Sequence, residues 1–349
     1  MLVTQQKILR RFWYPVLPAE NLGDAPVGVR LLGEDLALWR GPDGAPAVVQ
    51  DRCCHRSAKL SRGWAVDGNV VCPYHGWAYA TDGRCVRVPQ AKVPERDNRY
   101  AVPAYSAQVR YDQIWVCLDA APLAGIPEVP EYGAEGWRVI PEFFEPWGAP
   151  GLRIMENSFD NAHFSYVHAR SFGVIEEPEP APLSLIDTDQ GFIMLTEVPV
   201  KNPEQQQKNL GIAEERTIRK VEKTWWMPFS RKMKITYPNG RVHILLTLTA
   251  PIDDRSSQVT QIAIRNDSEA EAPAAGVIAF DRQVTHEDRG ILEMTDCDVP
   301  LDLRRERHMP SDRPGMEMRK RLAALLAEHG EPEMTAAGPV PVSWRHAAE

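Results

Sequence analysis

Two patterns of apolar and polar residues divide the chain. In the first third, short apolar or alternating runs such as residues 27–32, 36–40 and 113–118 are separated by turn sequences such as residues 41–44, Gly-Pro-Asp-Gly. Runs of this length, bounded by Gly, Pro, Asn and Asp, predict β-strands joined by tight turns. This part of the chain therefore predicts a small all-β domain.

The remainder mixes strands with longer helices. Residues 152–168 and 277–294 have the apolar period of helices, strand-like stretches lie between residues 191 and 264, and prolines are dense over residues 120–150. A chain of 349 residues exceeds a typical single domain. We therefore predict an α+β protein with an all-β domain at residues 1–125, a proline-rich connection at 126–150 and a second domain at 151–349, built from an antiparallel sheet with flanking helices.

Composition and charge limit the kinds of binding partner and the cellular location that we expect. The formal net charge of -8 argues against nucleic acid or an anionic membrane surface as partner. No apolar run approaches the length of a membrane span, and we expect no signal peptide. The six cysteines are scattered rather than arranged as a disulfide framework, so a cytoplasmic location is expected. No Gly-x-Gly-x-x-Gly follows a strand, so we expect no nicotinamide or flavin site of that type.

Two cysteines and two histidines lie in two loops of the all-β part. The first loop has Cys53-x-His55 and the second has Cys72-x-x-His75, with sixteen residues between them. Structural zinc sites usually take both cysteines from one loop and both histidines from another. One Cys and one His from each loop suit a [2Fe–2S] cluster in which the thiolates hold one iron and the imidazoles the other. Cys54 is expected to be scaffold, because the first loop needs its Cys two residues before its His.

A second set of candidate metal ligands lies in the other domain. His163 and His168 are roughly 140° apart around a regular α-helix, so both reach one ion only if the helix is irregular or ends nearby. Asp160, three residues before His163, is placed to accept a hydrogen bond from a metal-bound imidazole. A pair of core histidines is the alternative interpretation.

A third ligand is expected from the helix predicted at residues 277–294. Asp288 lies on the apolar stripe of this helix, where a carboxylate is costly unless it is paired or bound to a metal. Pairing with a nearby arginine is the alternative, Glu287 is a rival ligand, and His286 is a more remote one. Two histidines and one carboxylate form the facial triad of non-haem Fe(II) oxygenases.

Together these motifs resemble those of a known family. The Cys53-x-His55 and Cys72-x-x-His75 pair resembles the Rieske motif. The run Glu156-x3-Asp160-x2-His163-x4-His168, with Glu287-Asp288-Arg289, resembles the mononuclear iron motif in the α subunit of Rieske non-haem iron oxygenases. The resemblance covers nearly the whole chain. Residues 52–61 and 72–77 look most like the smaller members: N- and O-demethylases of the caffeine, vanillate and toluenesulfonate type and C–H hydroxylases of the saxitoxin-biosynthesis type. Residues 309–313 also resemble the hydroxylase group.

The resemblance implies a fold and a set of residue roles. It implies an all-β Rieske [2Fe–2S] domain followed by a helix-grip-like catalytic domain. The cluster would be held by Cys53, His55, Cys72 and His75, and the mononuclear Fe(II) by His163, His168 and Asp288. Asp160 would be a catalytic bridge, hydrogen-bonded to His163 and to His75 of a neighbouring protomer. Family members are commonly head-to-tail trimers, so we expect a homotrimer.

The expected function is that of a monooxygenase component. It would use O2, and electrons from NAD(P)H delivered by a separate reductase or ferredoxin, to hydroxylate or oxidatively demethylate a small organic substrate. The alternatives are cis-dihydroxylation of an aromatic ring, an electron-transfer Rieske protein and a structural zinc protein. The substrate is not predicted, because the possible pocket aromatics could equally be core residues: Phe164, Tyr166, Trp225, Trp226 and Phe229.

Overall fold

The computed structural model of the chain describes residues 1–91 and 99–342. It has two compact units, one of Gln6–Ile126 with Ala250–Asp254, the other of Met1–Gln5, Pro127–Thr249 and the chain from Arg255 onward. The predicted α+β class, with an all-β part first, is confirmed. In the described part of the chain, no helix is both long and apolar enough to cross a bilayer.

The first unit contains two antiparallel sheets. A six-stranded sheet has the order β1-β10-β9-β4-β3-β2 and a four-stranded sheet the order β5-β6-β7-β8. Leu32 and Gly33, with φ of 49° and 82°, form the tight turn between β2 and β3, where the twist of the hairpin requires positive φ. The strands are β1 (Tyr14–Pro18), β2 (Val27–Leu31), β3 (Glu34–Arg40), β4 (Pro46–Gln50), β5 (Trp64–Val66), β6 (Asn69–Val71), β7 (Ala78–Tyr79), β8 (Cys85–Arg87), β9 (Ala104–Arg110) and β10 (Gln113–Cys117).

The second unit is built on a seven-stranded antiparallel sheet of order β11-β17-β16-β15-β14-β13-β12. Helix α4 contacts α1, α2, α3 and β11, and a short hairpin of β18 and β19 ends the described chain. The elements are β11 (Arg138–Trp147), α1 (Gly151–Phe159), α2 (Phe164–Val167), β12 (Leu183–Thr188), β13 (Gly191–Lys201), α3 (Glu204–Leu210), β14 (Arg216–Trp226), β15 (Ser230–Thr236), β16 (Val242–Pro251), β17 (Ser257–Arg265), α4 (Ala274–Leu292), α5 (Arg313–Glu328), β18 (Glu333–Thr335) and β19 (Gly338–Val340).

Two segments differ from the sequence-based expectation. The stretch expected to be a proline-rich connection contains β11, an edge strand that pairs with β17 and has a register shift between Pro141 and Phe143. Proline is tolerated at such edges and bulges because a missing N–H costs least there. The helix predicted at residues 152–168 is two helices, α1 and α2, separated by a break at Asp160.

Candidate metal centres and substrate pocket

The two cysteine loops share one backbone conformation. The N–H of Cys53 donates to Ala58 O at 2.9 Å, and that of Cys72 donates to Trp77 O at 2.8 Å. In return, the carbonyl of each cysteine accepts the N–H four residues on, at 2.9 Å in the first loop and 3.0 Å in the second. The donors, Ser57 and Gly76, both have positive φ, 59° and 72°. The loops after β4 and after β6 are therefore two copies of one tight turn.

The two motif cysteines are buried in the core of their unit. Cys53 is 3% and Cys72 1% exposed, and both pack in one apolar cluster with Tyr79. The Tyr79 hydroxyl lies 3.0 Å from Cys53 Sγ and 3.3 Å from Cys54 Sγ. Burial, and hydrogen bonds to these sulfurs, raise the pKa of Tyr79 far above its usual range, so the phenol keeps its proton and can donate it to sulfur. Cys54 is exposed, as expected for a residue outside the ligand set.

The two motif histidines lie beside each other at the surface side of the loops. Their rings are 4.6 Å apart, and His55 stacks on Trp77 at 4.4 Å. Burial, and then the neighbouring His75, lower the pKa of His55, which favours the neutral imidazole that binds metals. His55 Nδ1 is buried and has no hydrogen-bond partner among the described residues. A metal bond would satisfy this atom, so two buried thiols and two adjacent imidazoles fit a Rieske-type cluster.

The break between α1 and α2 brings the second pair of histidines together. His163 lies at the start of α2 and His168 at its end, and their Nε2 atoms are 3.2 Å apart. Asp288 Oδ1, from α4, lies 3.3 Å from the first Nε2 and 3.2 Å from the second. Three adjacent ligands at bond lengths of about 2.1 Å would be about 3 Å apart. The triangle therefore fits one face of a metal ion, and Asp288 Oδ1 is buried without a hydrogen-bond partner in the described chain.

Carboxylates hold the outer nitrogens of both imidazoles. His163 Nδ1 lies 2.9 Å from Asp160 Oδ2, and His168 Nδ1 lies 2.9 Å from Glu287 Oε2. Ser171 Oγ also donates to Glu287 Oε2, at 2.8 Å. These contacts place the proton of each ring on Nδ1 and leave Nε2 free to bind a metal. Glu287, the rival ligand in the sequence, is thus a positioning residue in this geometry.

The charges of this site are strongly coupled. Burial opposes the ionisation of Asp160 and Asp288, but contacts with the imidazoles lower the pKa of both carboxyl groups. Burial also opposes a charged His163, whereas Asp160 and Asp288 raise its pKa.

His286, the remote candidate ligand, is not part of the triangle. Its Nε2 atom lies 3.2 Å from Glu145 Oε2, and its side chain is 42% exposed.

A pocket within the second unit adjoins the triangle of His163, His168 and Asp288. Its wall includes both histidines and Asp288, together with side chains from α4 and strands β13 to β16. Of the aromatic residues considered from the sequence, only Phe164 is on this wall. Trp225, Trp226 and Phe229 are buried, and Tyr166 is 63% exposed.

Several pocket residues were not found by sequence reasoning. Burial, and then Arg231, lower the pKa of Lys223 to about 7, and burial lowers the pKa of Arg231 to about 10. Arg219 also lies on this wall. The alternation of side chains along β14 could have indicated them, because it places Arg219, Val221 and Lys223 on one face of the sheet. The pattern was missed because the intervening positions also carry charged residues, so polarity does not alternate along the strand.

Comparisons with known proteins define the family. Residues 12–106 match the Rieske [2Fe-2S] domain, and residues 147–328 match the vanillate O-demethylase oxygenase C-terminal domain. The methylxanthine N1-demethylase NdmA of Pseudomonas putida is 28% identical over 341 residues, covering 94% of this chain and 92% of that protein. The vanillate O-demethylase oxygenase subunit of a Pseudomonas strain is 32% identical over 177 residues, covering 49% of this chain and 48% of that protein.

Solved structures agree with this match. The structure of NdmA from Pseudomonas putida CBB5 with caffeine has a TM-score of 0.81 at 27% identity, covering 94% of each chain. Dicamba monooxygenase bound to 3,6-dichlorosalicylic acid has a TM-score of 0.78 at 21% identity, covering 92% of this chain and 98% of that one, and supports the fold alone.

The chain therefore belongs to the Rieske oxygenases with a vanillate O-demethylase-type C-terminal domain. It is the oxygenase component of a Rieske-type monooxygenase system, an oxidoreductase that incorporates oxygen from O2. The Rieske domain implies a [2Fe–2S] cluster, and a component of this kind needs a separate reductase or ferredoxin and a small substrate.

Proposed function

We propose that Cys53, His55, Cys72 and His75 hold the [2Fe–2S] cluster and that His163, His168 and Asp288 hold a mononuclear Fe(II). The observation that carries the second assignment is the triangle of two Nε2 atoms and one Oδ1 atom, whose sides are 3.2 to 3.3 Å. With this assignment we propose the domain boundaries expected from the sequence: residues 1–125 carry the cluster, residues 126–150 form the connection and residues 151–349 carry the iron.

The proposed reaction is the insertion of one oxygen atom into a C–H bond of a small substrate. His163, His168 and Asp288 would hold Fe(II) on one side, and the bound metal would supply the chemistry of O2 activation. The protein's own contribution is to fix the three ligands on one side, through Asp160 and Glu287, and to enclose the substrate beside them. One atom of O2 enters the substrate and the other leaves as water, with two electrons and two protons consumed. When the carbon is a methyl group on N or O, the hydroxymethyl product releases formaldehyde.

Asp160 is proposed as the residue that links the two metal sites between chains. It contacts His163 through Oδ2, and its side chain is 27% exposed. Our proposal is a head-to-tail homotrimer in which this exposed edge meets His75 of a second copy of the chain. A cytoplasmic location is proposed with it, supported by six cysteines that form no disulfide bond in the described chain.

A substrate panel with a surrogate reductase tests this function. Methyl ethers, N-methyl compounds and unmethylated aromatic compounds are incubated with isotope-labelled O2, and formaldehyde and hydroxylated products are measured. We expect one labelled oxygen atom per product, loss of turnover in Asp288→Asn, and retention in His286→Gln, a nearby change on the exposed side of the same helix. A cis-diol containing both atoms of one O2 would instead identify a dihydroxylase.

A further inference from the structure

The pocket beside the triangle contains more cationic than anionic side chains. Two of the three cations have acceptors in the protein: Lys223 Nζ donates to Asn161 Oδ1 at 3.1 Å, and Arg231 Nη2 donates to Thr247 Oγ1 at 2.6 Å. The two carboxylates on the wall also have assigned partners: Asp288 belongs to the proposed iron triangle, and Asp281 Oδ2 lies 3.0 Å from His243 Nε2. Arg219 is the remaining charge.

Arg219 is buried, and two of its nitrogen atoms are unsatisfied within the described part of the chain. Its side chain is 6% exposed, and its Nε and Nη2 atoms have no hydrogen-bond partner among the described residues. Its guanidinium carbon lies 5.1 Å from the ring centre of Phe172 and 5.5 Å from that of Tyr237. Aromatic rings attract the cation, but they accept N–H groups only weakly compared with an oxygen atom. A buried charge with unsatisfied donors is costly unless a ligand completes it.

The two unsatisfied atoms define the shape of that ligand. Nε–H and Nη2–H lie on the same edge of the planar guanidinium and point in nearly the same direction, which matches the two oxygens of a carboxylate. Resting on the proposed oxygenase function, we propose that the substrate is a small organic acid whose carboxylate binds this edge of Arg219. Arg219 is then a specificity-determining residue of the pocket.

The position of Arg219 also limits the size of the acid. The guanidinium carbon lies 5.1 Å from the centre of the Phe172 ring, which lies 4.7 Å from the centre of the His168 ring, so Arg219 is at most about 10 Å from a proposed iron ligand. Apolar side chains, including Val198, Val221 and Ile235, line the same pocket. A compact acid, with an apolar body between its carboxylate and the carbon that is oxidised, fits this arrangement.

Binding to the iron-loaded protein without O2 tests the inference separately from turnover. The probes are ortho-, meta- and para-methoxybenzoate, each paired with its neutral primary amide, and affinity is measured by calorimetry. We expect at least one acid to bind more tightly than its amide, and Arg219→Met to weaken that acid about 30-fold while changing the amide little. Arg219→Lys should keep part of the preference, because it keeps the charge but not the fork.

Lys220→Met is the matched control, since it removes a cation from the next position of β14, where the side chain is exposed. It should leave the acid preference unchanged. The inference is wrong if no acid binds better than its amide, or if Arg219→Met lowers the unfolding temperature and leaves the preference intact. Formaldehyde release from caffeine without any preference for acids would uphold the oxygenase and overturn the inference. Tight acid binding without product from any methylated probe would uphold the carboxylate site and overturn the proposed oxygenase reaction.

Discussion

At the scale of single residues, Asp160 and Glu287 have the same task on different histidines. Each places a carboxylate oxygen 2.9 Å from an imidazole Nδ1, and so fixes the ring with Nε2 directed at the third ligand. Partners of this kind typically contribute 10- to 100-fold, on the order of one to three kcal/mol, to metal affinity. Asp160 is part of the turn between α1 and α2, whereas Glu287 reaches across from α4.

We predict that Glu287→Ala lowers iron retention about 10- to 100-fold without unfolding the protein. The His168 ring loses the acceptor of its Nδ1–H, and the Ser171 hydroxyl loses the nearer of its two acceptors. Iron per chain is measured after dialysis against a series of chelator concentrations. Glu287→Gln is the control, because its amide oxygen can still accept a hydrogen bond, and it should retain iron more tightly. Equal retention in wild type and both variants would show that Glu287 does not position His168.

At the scale of elements, the decisive feature is the interruption of the helix that carries the histidines. Gly173 closes the segment after α2 by donating its N–H to His168 O at 2.8 Å. A Cβ atom on Gly173 would lie 2.1 Å from Phe164 O and 2.9 Å from His168 C. Both are backbone atoms, so the clash can be relieved only by moving the segment that places His168.

We predict that Gly173→Ala destabilises the protein by about 1–3 kcal/mol and lowers its iron content, because of this overpacking. Gly290→Ala is a control of opposite sign. Gly290 lies in α4, is exposed, and has nothing within 4 Å of an added Cβ. Replacing it should stabilise by about 0.5–1 kcal/mol through helix propensity. Thermal unfolding and the iron content per chain are measured for both variants. A Gly173→Ala protein with normal iron content would show that the segment closed by Gly173 does not position His168.

The elements also show which parts of the structure the sequence could predict. The helix expected at residues 277–294 corresponds to α4, Ala274–Leu292, because its apolar period is strong and local. The strand β11 was not predicted, since its pairing with β17 is formed with residues more than a hundred positions away. Residue type and spacing were enough to single out Asp160, His163, His168 and Asp288 as candidates. The different roles of Glu287 and Asp288 depend on how α4 is rotated about its own axis, which spacing alone does not fix. Arg219 became visible only through its burial.

At the scale of the whole molecule, both proposed metal sites have groups near a surface that a second chain could reach. Cys53 and Cys72, the proposed cluster ligands, are buried, but His55 and His75 are only half-buried, and Tyr74 beside His75 is 64% exposed. Asp160 is likewise 27% exposed beside His163. Groups that exchange electrons between chains must lie near a surface, and exposed aromatic residues are common in protein contacts. This supports the proposal that the cluster of one copy serves the iron of another.

The proposal predicts complementation between two inactive variants. His75→Ala should lack the cluster but keep the iron site, and Asp160→Ala should keep the cluster but receive electrons poorly. Each homo-oligomer should therefore turn over substrate slowly.

Co-expression of the two variants with different tags, and purification through both tags, tests this. In such an oligomer, the cluster of an Asp160→Ala chain can meet an intact Asp160 on a His75→Ala chain. In a closed head-to-tail ring of three chains that contains both variants, about a third of the interfaces have this productive pairing. Turnover should rise accordingly, and singly tagged proteins mixed after purification are the control. Absence of recovery in doubly tagged oligomers that contain both metals would place electron transfer within one chain and remove the bridging role of Asp160.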